Sequence, residues 1–356
     1  MMALFVPFRV FCGHIPMTQD THISLAHGNG GRRMRELIDA VFARHLGNPD
    51  LDTAADAVFI SVGTGEIVIT TDGFTVQPLV FPGGDIGSLA IHGTANDLAV
   101  AGATPVYFTL SAFIEEGFAI DRLEAIVASM AKAAREIDAR VVAADTKVLR
   151  RGEGGGIYFA MTGIGARPPG MRLGMGNIKE GDAILVSGPV GDHGIAVLLA
   201  REEFGLQGDL ESDTAHVLPI THALLPLPGL RFMRDPTRGG FATVAHEICR
   251  GTGLGIRLRQ SAIPVRDSVR TVCEILGYDP LYLACEARVV IVVAPDEADA
   301  ALAICRATEG GREAARIGTI GNMSRRGALQ QVIVETELGG KRILEELEDD
   351  PLPRIC

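Results

Sequence analysis

The stretch ITTDGFTVQPLVFPGGDIGSLAIHGTANDLAVAGATP, Ile69 to Pro105, decides how the chain reads. An apolar strand, Ile67 to Thr71, ends in Asp72-Gly73. A loop punctuated by Pro and Gly follows, and Gly83-Gly84-Asp85 opens a helix, Ile86 to Ala101, rich in small residues. Side chains that small let a helix approach a sheet or a second subunit closely. Close packing does not account for His92, Asn96 and Asp97. The carboxylates Asp72, Asp85 and Asp97 fall at or near the ends of regular elements, where held carboxylates attract a cation. The stretch reads as a nucleotide and metal site.

Around it, 356 residues suffice for two domains, each with its own core. Hydrophobic residues make up 47%, yet no run is long enough to cross a bilayer, so no membrane partner is expected. A formal net charge of −11, with no clustered basic surface, argues against nucleic acid. A nucleotide carried with a divalent cation suits an acidic chain better. The six cysteines show no C-x-x-C pair and no Cys/His ligand spacing, which argues against zinc. Cys12, Cys249, Cys273 and Cys305 read as buried thiols of a protein in a reducing, cytoplasmic compartment; Cys285 and Cys356 stand apart. Residues 1–17 read as an upstream extension with Met17 as the natural start, a weak export signal being the alternative.

On the amino-terminal side, His27-Gly28-Asn29-Gly30-Gly31 precedes a helix, Arg32 to Leu46. Such a glycine loop wraps phosphates or is simply a turn. Ala57 to Val62 and Ile67 to Thr71 form a hairpin. Beyond Pro105, a strand (Val106 to Phe113), a helix (Ile120 to Ile137) and a strand (Arg140 to Ala144) lead to Asp145-Thr146-Lys147. That is a surface ion pair, or a metal ligand beside a phosphate clamp if Asp72 and Asp97 converge there. Gly154 to Gly156 leads into a strand from Ile157 to Thr162. Composition shifts at Arg167-Pro168-Pro169-Gly170, dividing residues 18–167 from a second α+β domain, residues 168–338. Its strands (Ala183 to Ser187, Gly255 to Leu258, Val289 to Val293, Val332 to Thr336) alternate with helices (Ile195 to Phe204, Ala242 to Cys249, Ser268 to Leu276, Asp296 to Arg306). Asp235-Pro236-Thr237-Arg238-Gly239-Gly240 stands before one of these helices as either a capped start or an anion site. Glu286 is on its own an ordinary solvated acid. Residues 339–356 read as a mobile tail: a Gly339-Gly340 hinge, a short helix from Lys341 to Leu347, and a proline-stiffened end reaching roughly 25 Å. Cys356 could then be loaded elsewhere and swing into a pocket.

Asp97, four residues, then Gly102-Ala103-Thr104-Pro105 matches the D-x4-G-A-x-P signature of the ATP-binding superfamily of aminoimidazole ribonucleotide synthase, selenophosphate synthase and thiamine-phosphate kinase. Within it, HGNGG, TTDGF, FPGGDIG, GTANDLAVAGATP, IEEGF, DTKV, RDPTRGG, DPLYLA and the terminal PRIC resemble the HypE family of NiFe-hydrogenase maturation. The resemblance implies a two-domain α+β fold of the PurM or aminoimidazole ribonucleotide synthase kind with a flexible carboxy-terminal tail. It implies ATP-dependent dehydration of an S-carboxamide on Cys356 to a thiocyanate, with ATP and Mg²⁺. A HypF carbamoyltransferase would load the tail, a HypC–HypD scaffold would receive the cyanide for iron, and the chain would be a homodimer.

Residue by residue, it implies Asp72, Asp97 and Asp145 as metal or phosphate ligands, with Asn96 and Thr146 beside them. Lys147 would stabilise developing charge, Glu286 would be the leading base and His92 a second. Gly28, Gly30 and Gly31, with Asp235, Thr237, Gly239 and Gly240, would close over the phosphates. The chain departs from the family where Cys285-Glu286-Ala287 replaces Asn-Glu-Gly and Ala144 replaces the Gly before Asp145. Selenophosphate synthase is disfavoured because its reactive Cys and Lys are missing from the early glycine loop, and thiamine-phosphate kinase leaves the tail unexplained. A non-catalytic carrier displaying Cys356 is the remaining alternative; it would not turn over ATP.

Overall fold

The structure, a computed structural model, describes residues 20–28, 32–51, 65–201, 205, 208–321 and 331–347. Residues 1–17, the expected strand 57–62, Gly30, Gly31 and Cys356 lie outside the described residues.

The amino-terminal half begins with α1 (Arg32–Leu37) and α2 (Arg44–Leu46), joined by a π-helical turn where one straight helix was expected. Then come β1 (Glu66–Phe74), the short β2 (Val80–Phe81) and β3 (Gly84–Asp85), α3 (Ile86–Val100), β4 (Thr104–Glu115), α4 (Ile120–Glu136), β5 (Arg140–Leu149) and β6 (Ile157–Arg167). Four strands form one sheet in the order β1-β6-β4-β5. Only β4 and β5 run parallel in it, with α4 as their crossover.

Asp85 starts α3: its carboxylate accepts from Gly87 N (2.7 Å) and Ser88 N (3.0 Å), and Ser88 Oγ accepts from Asp85 N. This capping box, worth about 1 kcal/mol, is what Asp85 does. The small residues of α3 serve packing within the chain. A Cβ on Gly163 of β6 would stand 2.7 Å from Thr94, and all of α3 except Ser88 and Asp97 is buried against β1, β6 and α4. α3 therefore offers no face to a second subunit. The opposite face of the sheet is open, with Ile67 54% and Ile69 66% exposed.

The carboxy-terminal half contains β7 (Ala183–Val186), α5 (Asp192–Ala200), α6 (Leu218–Leu224), β8 (Leu230–Arg234), α7 (Gly240–Thr252), β9 (Gly255–Arg259), α8 (Asp267–Leu276), β10 (Val290–Val293), α9 (Ala298–Ala307), β11 (Ala315–Gly321), β12 (Val332–Glu335) and β13 (Lys341–Leu344). Its seven strands are ordered β13-β12-β9-β11-β7-β10-β8. The interior strands β7 (AILV) and β10 (VIVV) are buried throughout, as continuous apolar runs covered on both faces should be.

Three expectations change. β1 continues to Phe74, so Asp72 sits inside the strand, opposite Met161. Lys341 to Leu344 is a strand paired with β12 rather than the start of a helix. Gly339, at φ +80°, lies in the tight turn of that hairpin, where Thr336 N donates to Gly340 O (2.8 Å). Gly339-Gly340 is therefore no hinge, and any free tail begins beyond Leu347.

Candidate active site

Four carboxyl groups meet where the two halves touch. Asp72 comes from β1 and Asp97 from the end of α3, where it accepts a hydrogen bond from Thr70 Oγ1 (2.7 Å). Asp235 follows β8, and Glu286 precedes β10. Burial is the main cause raising each pKa, and for Asp72, Asp235 and Glu286 repulsion from neighbouring carboxylates adds to it. Asp72 is raised further by Asp97, and Asp235 reaches about 7 with Asp97 and Asp72 nearby. Asp97 is raised by burial against the pull of Thr70 and Arg234. Glu286, 4% exposed, lies well above the usual range through burial and then Asp213, Asp235, Asp72 and Asp97. Arg238 and Arg234 bring opposing charge to Asp72 and to the Asp97–Asp235 pair.

The loop carrying Asp235 and Thr237 ends in Gly239 (φ +73°) and Gly240 (φ +59°), which open the thirteen-residue α7. A Cβ on Gly240 would stand 2.5 Å from Leu283 O. Glycine is required here by backbone geometry and by contact alike. The positive end of α7 thus faces the same corner.

Other expected residues lie elsewhere. Asn96 is 1% exposed, and its amide is fully occupied: Nδ2 donates to Glu286 O (2.6 Å) and Ala215 O (3.0 Å), while Oδ1 accepts from Val217 N (2.8 Å). It ties the halves together and is not free for a nucleotide. Asp145 shares an outer-face row with Ser111, Ala160 and Gly73, whereas Asp72 shares the inner row with Met161, Leu110 and Ala144. Three strand spacings, about 14 Å, also separate β5 from β1. One cation cannot join Asp145 to Asp72 and Asp97 of the same chain. Lys147 lies on the same exposed outer face as Asp145, and Thr146 between them is buried on the inner face. The turn ending at Gly28 packs on β5, at the opposite edge of the sheet from Asp72.

His92 is also corrected. Its ring, at a pKa lowered to about 4 by burial and then by His216 and Lys132, points into a cavity between the halves, with neither ring nitrogen hydrogen-bonded. That cavity, about 820 Å³, is lined by His216, Glu136, Ser212 and Thr214 but by none of the four carboxyl groups.

Two family descriptions match the chain: AIR synthase related protein, N-terminal domain, over residues 54–166, and AIR synthase related protein, C-terminal domain, over residues 179–328. Carbamoyl dehydratase HypE of Azotobacter vinelandii is 44% identical over 335 residues, covering 94% of this chain and 97% of the relative. The chain belongs to the HypE family. Among solved structures, a HypE in complex with ATP superposes with a TM-score of 0.88 at 42% identity, covering 93% of this chain and 99% of that one. A HypE–HypF complex gives 0.76 at 41% identity, covering 87% and 99%.

The departures from other HypE sequences are absorbed locally. Cys285 is fully buried, accepts from Gly191 N (3.2 Å), and has its thiol pKa pushed far up by burial, so it is not a ready disulfide partner. Cys249, Cys273 and Cys305 are buried thiols as expected. Ala287 N and Glu286 N both donate to Asp213, a buried acid that sequence reading passed over in a polar loop. His193 and Arg238 were missed for the same reason: each looks ordinary until the fold brings it to the cluster.

Proposed function

We infer that this chain is an ATP-dependent carbamoyl dehydratase that converts an S-carboxamide on its own Cys356 to a thiocyanate, supplying cyanide for a NiFe-hydrogenase. The observation carrying this is the position of the tail's root. Leu347 lies against the anion loop, since a Cβ on Gly239 would be 3.3 Å from Leu347 Cδ1. Nine residues remain to Cys356, a reach of roughly 30 Å when extended.

Hydroxide leaves a carboxamide carbon poorly, so the amide oxygen attacks the γ-phosphorus of ATP and phosphate becomes the leaving group. Gly240 N donates to Thr237 O (3.0 Å) and shapes the turn, and the N–H groups of the first turn of α7 that follow it hold phosphate oxygens. Glu286 begins as an acid and becomes able to accept an N–H proton once the surrounding negative charge is offset. The crowded carboxyls suit Mg²⁺, which when bound would supply that positive charge. Among the described residues no three acids or histidines form a ready metal cage, in keeping with a cation held by one or two carboxylates plus phosphates. Asp72 and Asp97 are the residues for it, with Asp235 beside them.

Lys147 and Asp145 would serve a neighbouring copy. The open outer face of the sheet, with Ile67 and Ile69, suits stacking on the same face of a second chain, about 10 Å apart. HypF as the loading partner and a HypC–HypD scaffold as the iron-bearing acceptor complete the reading, in the cytoplasm. Intact mass of the protein, incubated with ATP, carbamoyl phosphate and the transferase, tests it: addition of a carbamoyl group followed by loss of water is expected. A loaded tail that never loses water while ATP is present would leave the carrier alternative standing.

A further inference from the structure

Glu286 must dispose of the proton it takes, yet its near neighbours are acids. One neighbour is different. His193, in the first turn of α5, is wholly buried, with Phe81 set edge-on against its ring (centroids 5.5 Å apart). Its Nδ1 lies 2.8 Å from Ser212 Oγ, which is 2.7 Å from Thr214 Oγ1 and accepts from Thr214 N. Its Nε2 has no hydrogen bond and stands 3.8 Å from Glu286 Oε1. Ser212 and Thr214 line the 820 Å³ interdomain cavity, where His92, His216 and Glu136 also lie.

We propose that His193 is a relay and positioning residue, passing the proton from Glu286 through Ser212 and Thr214 into the interdomain cavity; the proposal rests on Glu286 as the base. A histidine serving only to brace the 212–214 turn would explain Nδ1. It would leave Nε2 buried, unpaired and aimed at a carboxyl, an arrangement that burial penalises. Burial holds His193 neutral, its pKa lowered to about 4, so Nε2 has a lone pair to receive the proton. The 3.8 Å gap needs a closure of about 1 Å, which catalytic hydrogen bonds commonly undergo when substrate binds.

The steps balance. Attack of the amide oxygen forms the O–P bond, ADP departs with the electron pair, and the first N–H proton goes to Glu286. Glu286 passes it to Nε2 as the Nδ1 proton moves to Ser212 and on to the cavity. Glu286 is again a carboxylate when the second N–H proton leaves and the C–O bond breaks, the electron pair going with phosphate. Between turnovers Nδ1 takes a proton back from the cavity through Thr214 and Ser212 while Nε2 releases its own to water in the emptied corner, which restores the starting tautomer.

The test is single-turnover dehydration of the loaded full-length chain with Mg-ATP, followed by intact mass, with ATP affinity and thermal midpoint measured beside it. His193→Ala should slow nitrile formation about 100-fold while binding ATP normally, and added imidazole should recover about tenfold. His193→Gln, which can still bond Ser212 but cannot carry a proton, should stay slow. Wild-type rates in either variant, or a slow His193→Ala that imidazole fails to accelerate, would overturn the relay. Glu286→Gln run in parallel separates the two ideas: wild-type dehydration in that variant removes the base itself, whereas a slow Glu286→Gln beside fast His193 variants removes only the relay.

Discussion

Asn96 Nδ2 lies 2.6 Å from the carbonyl oxygen of Glu286, so the helix bearing Asp97 also holds the segment bearing the base. Asn96→Ala strands Glu286 O, Ala215 O and Val217 N without their partner. A loss of about 3 kcal/mol or more is expected in urea unfolding, because buried unsatisfied groups cost 1–3 kcal/mol each. Dehydration should fall more than ATP affinity does. Full stability in Asn96→Ala would show that these bonds are dispensable.

Asp235 gives the stability a pH signature. Its pKa is raised from 3.8 to about 7 in the fold, chiefly by burial and then by Asp97. Between about pH 4 and 7 the unfolded chain has lost this proton while the folded one keeps it, so stability drops as pH rises through that window and the loss is complete above it. Asp235→Asn should be near neutral at pH 4 and stabilising by a few kcal/mol, in order of magnitude, at pH 8. Urea midpoints at the two pH values check this; an equal effect at both would contradict it.

Lys147 acts across a subunit boundary if the outer-face arrangement holds. Lys147→Ala and Glu286→Gln should each retain a loaded tail that never loses water. Mixing the two inactive proteins under exchange conditions should restore about a quarter of wild-type sites, since half the dimers are mixed and each has one intact site. No recovery despite demonstrated subunit exchange would place Lys147 in its own chain's chemistry or outside it.

Cys356→Ala should abolish dehydration and leave ATP binding unchanged, because the nucleotide corner is built from residues far earlier in the chain. Removing residues 349–351 should leave a tail that loads but fails to dehydrate, as the reach shortens by about 10 Å. Thiocyanate formation in either variant, read by mass, would contradict the role of the tail.

Much of this was readable in advance, for physical reasons. The Gly83-Gly84-Asp85 opening marked the start of α3, although Asp85 read as a cation ligand and proves to be its cap, and β-branched runs marked β7 and β10. Local signals also marked Asp72, Asp97 and Asp235 as unusual. They could not say on which sheet face Asp145 and Asp72 would fall, because a one-residue difference in strand phase reverses a side chain. They misread Lys341 to Leu344, whose charged pattern fits an exposed helix or an edge strand until β12 offers a pairing edge. Asn96 looked like a nucleotide ligand because a polar residue in a small-residue helix has no local explanation. Its explanation is long-range, in residues more than a hundred positions away. Glu286 became unusual only when Asp213, Asp72, Asp97 and Asp235 were gathered round it.

The β12–β13 hairpin has a kinetic consequence. By fixing the chain as far as Leu344, it leaves twelve residues up to Cys356, and under the proposed function a sulfur on so short a tether would experience an effective concentration on the order of millimolar. The carboxamide then needs little intrinsic affinity for the catalytic corner. While subunits stay paired, turnover should be first order and indifferent to further protein concentration, and weak docking would let the finished group be surrendered to an acceptor.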